Sequence, residues 1–241
     1  MITLSSAMVL AAGFGTRMRP LTEARPKPLL PLAGRTLLDH ALDRIDEAGI
    51  GHVVVNAHWF PDLIDEVCAA RPHPPTVLHE EPVQETGGGV RDALPLLGDD
   101  PFLVVNGDAF WLDGPASTIA RLAARFDPET MDGLLLMVRA AQVDSDVGQG
   151  DFLLDPVGRV RRPKEKEVSP YVYGGIQILH PRLMRDSPEG PFSMNRHWNR
   201  AIADGRLFGT VHDGAWFHLS RPIDLRRAET ALATGLVRAM F

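Results

Sequence analysis

The sequence predicts an α/β protein in three layers, with helices on both faces of a mostly parallel, mixed sheet. Three observations lead there. Short apolar runs alternate with segments of helical period, and the connections between them have the length of βαβ crossovers. The first and fourth runs end in turn-forming polar residues, Gly13-Phe14-Gly15 and Asn106-Gly107-Asp108. Open sheets of this kind bind ligands at the carboxyl ends of their strands, so those two ends are where chemistry is expected.

In chain order, residues 8–12 (Met-Val-Leu-Ala-Ala) read as a buried strand running into a Gly-rich turn. Residues 36–48 carry Leu37, Leu38, Ala41, Leu42, Ile45 and Ala48 at helical spacing, and Gly49 closes the helix. Residues 52–56 predict a strand, 61–70 a helix, 76–79 a strand, 88–97 a helix and 102–105 a strand. The second half is less regular. Strands are expected at 132–139 and 175–179, the latter stopped by Pro181, with a hairpin joining 151–154 to 159–161 through Pro156-Val157-Gly158. A helix is expected at 195–203, extended segments at 208–211 and 215–219, and a closing helix at 222–233 with proline in its first turn. Neither an internal repeat nor a low-complexity linker interrupts the 241 residues, so 1–241 reads as one domain.

The net charge of −6 argues against a nucleic-acid surface or a basic membrane face, while a small anionic substrate needs only a few placed cations. Cys68 is the only cysteine, so no intramolecular disulfide forms and a reducing compartment fits. The first residues lack a secretory pattern and no run approaches the about 20 apolar residues of a spanning helix, so a cytoplasmic location is expected.

The densest chemical signal is Ala11-Ala12-Gly13-Phe14-Gly15-Thr16-Arg17, then Pro20-Leu21-Thr22 and Pro26-Lys27-Pro28-Leu29. Glycines after a strand let backbone N–H groups approach phosphates, and Arg17 and Arg19 add charged donors. Lys27 lies between two prolines that hold the chain extended and fix where its ammonium projects. A dinucleotide fingerprint would need glycine where Met18 stands, and a P-loop would need Gly-Lys-Ser/Thr.

These strings resemble the signature of the sugar nucleotidyltransferases, and the likeness covers most of the chain, fading after about residue 132. The resemblance implies a Rossmann-like nucleotide-diphospho-sugar transferase fold, with a nucleotide-binding half at about 1–110 and a sugar-binding half at about 111–241. It implies that Ala11, Ala12, Gly13, Gly15 and Thr16 wrap the triphosphate, that Arg17 and Lys27 neutralise it, and that Asp108 binds magnesium. Gln84, Thr86, Gly87, Gly88 and Asn106 would hold the nucleotide, the Gly-rich segment meeting the base at the start of a helix. Asp151 and Gly175 would meet the sugar, with Arg162 or Lys164 standing where relatives place a lysine against the sugar phosphate. In Trp216-Phe217-His218 a histidine replaces an aspartate that usually forms a second metal ligand. The other histidines singled out, His40, His52, His73 and His79, show no ligand spacing.

The implied partners are small molecules, an NTP and a sugar 1-phosphate, and the implied cofactor is Mg²⁺, with Mn²⁺ as the alternative. Within the family the segments 85–89, 106–108 and 150–152 resemble most the branch that transfers a uridylyl group to N-acetylmuramic acid 1-phosphate. Guanylyl transfer to mannose 1-phosphate and thymidylyl or uridylyl transfer to glucose 1-phosphate stay open. So does a non-catalytic regulator that binds sugar nucleotides.

Overall fold

The computed structural model describes residues 2–143, 145 and 147–235. Seven strands form one sheet: β1 (Ser6–Leu10), β2 (His52–Ala57), β3 (Thr76–His79), β4 (Phe102–Asn106), β5 (Gly133–Arg139), β6 (Tyr171–Leu179) and β7 (Leu207–Val211). Their order is β3-β2-β1-β4-β6-β5-β7. Only β6 runs antiparallel to its neighbours, β4 and β5; the other pairs are parallel. The sheet is the mostly parallel, mixed one the sequence predicts.

The apolar runs are unbroken because both faces of the sheet are covered. On one face Ala7, Val9, Val55, Leu103 and Val105 pack with α1 (Leu37–Glu47), α2 (Pro61–Ala69) and α4 (Thr118–Arg125). On the other, Met8, Val54 and Val104 pack with α3 (Glu85–Leu97) and α5 (Asn195–Ala203). The last helix, α6 (Pro222–Thr234), closes a third cluster over Met18, Leu32 and Phe110, and so ties the end of the described chain to the Gly-rich loop. Helix α1 begins in a capping box, the Thr36 hydroxyl accepting from Asp39 N–H while Asp39 reaches back to Thr36 N–H.

Two elements start earlier than expected. Helix α3 opens at Glu85 rather than 88, so the three glycines lie inside its first turns. Glycine disfavours helix interiors, which pushes a sequence reading later; here close packing overrides propensity. Strand β6 opens at Tyr171, four residues ahead of expectation, and its register against β5 slips between Tyr173 and Gln177. Gly174 and Gly175 occupy that bulge, Gly175 at φ 78°. A short pairing of Phe110–Leu112 with Ala215–Phe217 brings the segment before His218 to the end of β4.

Cys68 is buried, and desolvation pushes its thiol up to about 12, as fits a small hydrophobe rather than a nucleophile.

Candidate active site

The carboxyl ends of β1 and β4 meet because Gly107 N–H donates to Leu10 O at 2.9 Å. A Cβ at Gly107 would stand 3.0 Å from that same oxygen, so the approach depends on glycine. Asp108, the next residue, is thereby set beside the loop that follows β1. Within that loop Gly15 adopts φ 59°, and a Cβ there would lie 2.9 Å from Lys27 Cβ. Thr22 Oγ1 donates to Gly15 O at 2.9 Å, folding the Pro20-Leu21-Thr22 segment back under the turn.

A cleft of about 340 Å³ opens above these strand ends. Of the sequence-predicted residues, Ala11, Ala12, Gly13, Gly15, Thr16, Arg17, Lys27, Thr86, Asn106 and Asp108 all line it. Lys27 Nζ and Asp108 Oδ2 are 2.5 Å apart, so the expected phosphate cation and the expected metal carboxylate are in contact.

Two further residues that line the cleft were missed by the sequence reading. Asn56, at the end of β2, accepts from Ala11 N–H at 2.7 Å and donates to Glu80 Oε1 at 2.6 Å. Glu80 Oε2 accepts from Gln84 N–H at 2.8 Å. Both side chains are buried and both line the cleft. A signal existed: Asn56 ends an apolar strand just as Asn106 does, and a polar residue closing such a run marks a strand end that faces a ligand.

The Gly-rich segment differs from expectation. The N–H groups of Gly87 and Gly88 both bond to Phe192 O, at 2.8 and 3.1 Å, and neither residue lines the cleft. A Cβ at Gly87 would sit 2.4 Å from the Phe192 ring, and one at Gly89 would sit 2.7 Å from Glu80 Oε1. These glycines serve packing, and their backbone donors are already spent. Gln84 likewise turns away from the cleft, its amide donating to Pro82 O and accepting from Arg91. Glu85 and Thr86 face the cleft instead, Glu85 at φ 59°, a conformation unusual for a side-chain-bearing residue.

A second cavity of about 160 Å³ adjoins the first and shares Arg17, Lys27, Asn106, Asp108 and Ser220 with it. Gly175 and His218 line it, as does Tyr173. A Cβ at Gly175 would lie 3.2 Å from Asn106 Nδ2. Trp216 donates through Nε1 to Gly174 O at 2.9 Å, pinning the segment that carries His218 to the bulge. Burial holds His218 below the usual imidazole range; Asp224 and Asp108 oppose that, while Lys27 and Arg17 reinforce it. Among the described residues, no three His, Cys, Asp or Glu side chains form a metal-sized cluster.

Asp151 lines neither cavity; its carboxylate accepts from Tyr173 N–H at 2.8 Å and so fixes the strand beside the bulge. Arg162 lies over the Phe152 ring, 4.2 Å from its centroid, and donates to Asn195 and Asn199. Lys164 belongs to an exposed loop, where its N–H bonds Glu167, itself paired with Arg161.

A Gly-rich loop, two cations and one carboxylate gather at parallel strand ends, the arrangement the sequence predicts for nucleotidyl transfer. The model of the MobA-like NTP transferase domain matches residues 7–173, and the chain belongs to that family. It is 42% identical to the N-acetylmuramate alpha-1-phosphate uridylyltransferase of Caulobacter vibrioides, over 94% of this chain and 96% of that one. It is 34% identical to the protein of the same name from Neisseria meningitidis serogroup B, over 92% and 96%. Among solved structures it resembles a UDP-glucose pyrophosphorylase complexed with UDP-glucose, with a TM-score of 0.81 at 15% identity, covering 96% of this chain and 99% of that chain. The protein is a nucleotidyltransferase.

Proposed function

We propose that the protein transfers a uridylyl group from UTP to N-acetylmuramic acid 1-phosphate, giving UDP-N-acetylmuramic acid and pyrophosphate. The observation that carries the choice of substrates is the 42% identity running nearly the full length of both this chain and its Caulobacter relative. We place the reaction in the cytoplasm; no helix among the described residues is long and apolar enough to cross a membrane.

In this reaction an oxygen of the sugar phosphate forms a bond to the α-phosphorus of UTP. The bond from that phosphorus to the bridging oxygen breaks, and pyrophosphate leaves with the electron pair. A phosphate monoester has a second pKa of about 6, so the attacking group is already mostly dianionic and needs no general base. The protein's task is positioning and charge neutralisation. Arg17 and Lys27 border both cavities, where they would hold the departing pyrophosphate and bind the incoming phosphate's partner. Asn56 and Glu80 brace the cleft wall between Ala11 and Gln84.

A divalent cation fits the donor set. Asp108 is a hard oxygen ligand at the junction of the cavities, and one carboxylate completed by water and phosphate oxygens is how Mg²⁺ is commonly held. Bound there, the cation would offset charge on the α-phosphate. His218 faces the same cavity; as a ligand, its imidazole would favour Mn²⁺ over Mg²⁺.

A pyrophosphate-release screen of the four NTPs against sugar 1-phosphates tests the assignment. UTP with N-acetylmuramic acid 1-phosphate should give the highest kcat/KM. A clear preference for GTP with mannose 1-phosphate would overturn it in favour of the activity named for a Mycobacterium tuberculosis relative, 31% identical and longer than this chain, which covers 65% of it.

A further inference from the structure

The Gly-rich loop is gripped from outside the cleft. Gly13 and Gly15 line the cleft, but Phe14 between them does not, and 41% of Phe14 stays exposed. Its ring stands edge-on to two neighbours from the β2–α2 connection, His58 with centroids 5.3 Å apart and Trp59 at 5.5 Å. Trp59 also reaches the far side of the turn. Its Nε1 donates to Thr22 O at 3.0 Å, and the Thr22 hydroxyl in turn donates to Gly15 O. Phe14, Gly15, Thr22 and Trp59 thus close a ring of contacts around the turn.

The gripping segment is itself fixed. His58 donates through Nδ1 to Glu80 O at 2.8 Å, and Trp59 meets Phe60 edge-on with centroids 4.8 Å apart. Phe60 opens α2 at φ 49°, a left-handed conformation that a bulky residue seldom adopts. Such a conformation persists where its surroundings impose it, and it gathers at ligand sites. Trp59 belongs to none of the three core clusters, so core packing does not account for its place.

The loop needs an outside hold. The N–H groups of Gly13, Phe14 and Gly15 make no backbone hydrogen bond among the described residues, which leaves them open to an anion. It also leaves the turn without a ladder of its own, and glycine gives up more freedom on ordering than any other residue. A loop ordered before its ligand arrives binds more tightly than one ordered on arrival.

We propose that Trp59 is a positioning residue for the nucleotide: with His58 it clamps Phe14 and Thr22, and so presets the Gly-rich loop to receive the triphosphate. The inference rests on the nucleotide half of the function proposed above.

Two variants test it. Trp59→Phe keeps a ring against Phe14 and removes the N–H to Thr22, while Trp59→Ala removes both. Calorimetric titration with the NTP that the wild type binds most tightly, Mg²⁺ present, reads the loop directly. Affinity should fall about twofold to tenfold in Trp59→Phe, and about tenfold to a hundredfold in Trp59→Ala. Trp59→Ala should cost less in a Phe14→Ala background than in the wild type, because the ring contact is already gone. The KM for the sugar 1-phosphate should stay within about twofold, since neither Phe14 nor Trp59 lines the second cavity. Unchanged NTP affinity in Trp59→Ala would overturn the proposal. A loss shared equally by both substrates would overturn it too, by marking a general structural role. A wild type that binds an NTP other than UTP sinks the proposed function alone, because the clamp is then read with that NTP. A wild type that binds none of the four sinks both.

Discussion

Lys27 and Asp108 bond each other in the free protein, with 12% and 35% of their side chains exposed, and both face the space where triphosphate and sugar phosphate would meet. The pairing fixes the ammonium, and on the proposed function a triphosphate would offer it a more strongly charged partner. Lys27→Ala should cut turnover about a hundredfold or more, the roughly 3 kcal/mol lost when a preorganised charge is removed from a transition state. Asp108 keeps enough exposure to be hydrated, so the variant should fold; a circular-dichroism melt beside the pyrophosphate assay separates the two effects. Near-full activity in folded Lys27→Ala would remove the loop from the triphosphate. His218 tests the other side of the junction. If it contacts the metal, apparent Mg²⁺ affinity should rise in His218→Asp, and Mn²⁺ should support the wild type at lower concentration than Mg²⁺. Identical metal curves for wild type and His218→Asp would take His218 out of the metal site.

At the scale of elements, the strands were legible because most are short apolar runs with a polar or Gly-rich end, and α1 was legible because Leu37, Leu38, Ala41, Leu42 and Ile45 recur at helical spacing before Gly49. What escaped depends on distant partners. The early start of α3 is fixed by Phe192, whose carbonyl takes two N–H groups across more than a hundred residues of sequence; local propensity, which penalises Gly87-Gly88-Gly89, points the other way. The early start of β6 comes from Tyr171, Val172 and Tyr173 pairing with β5 beyond a two-residue slip, a register that periodicity does not encode. The Phe110–Leu112 strand exists only through Ala215–Phe217. The site divides the same way. The Gly-rich loop and Asp108, which line the cleft, lie on contiguous motifs that the sequence displays, whereas Glu80 and Asn56 acquire their places there from hydrogen bonds between elements.

The two halves suggested by the motifs share one sheet, and that bears on how the whole molecule unfolds. β4 pairs with β1 on one edge and with β6 on the other, so the seam between halves runs through the middle of the sheet rather than through a linker. Both large clusters cross it: Val9 and Leu103 pack in one cluster with Leu134 and Ile178, and Met8 and Val104 in the other with Leu135 and Leu179. A piece ending near residue 110 would leave β4 with an open edge and each core without much of its cover. We therefore expect a single cooperative unit. In urea, far-UV circular dichroism and tryptophan fluorescence should trace one superimposable transition, since Trp59 lies in the first half and Trp111, Trp198 and Trp216 in the second. A chain of residues 1–110 expressed alone should lack cooperative melting. Two resolved transitions in the full protein, or a 1–110 fragment that melts cooperatively, would show instead that the nucleotide half is a domain in its own right and that β6 docks onto a finished sheet.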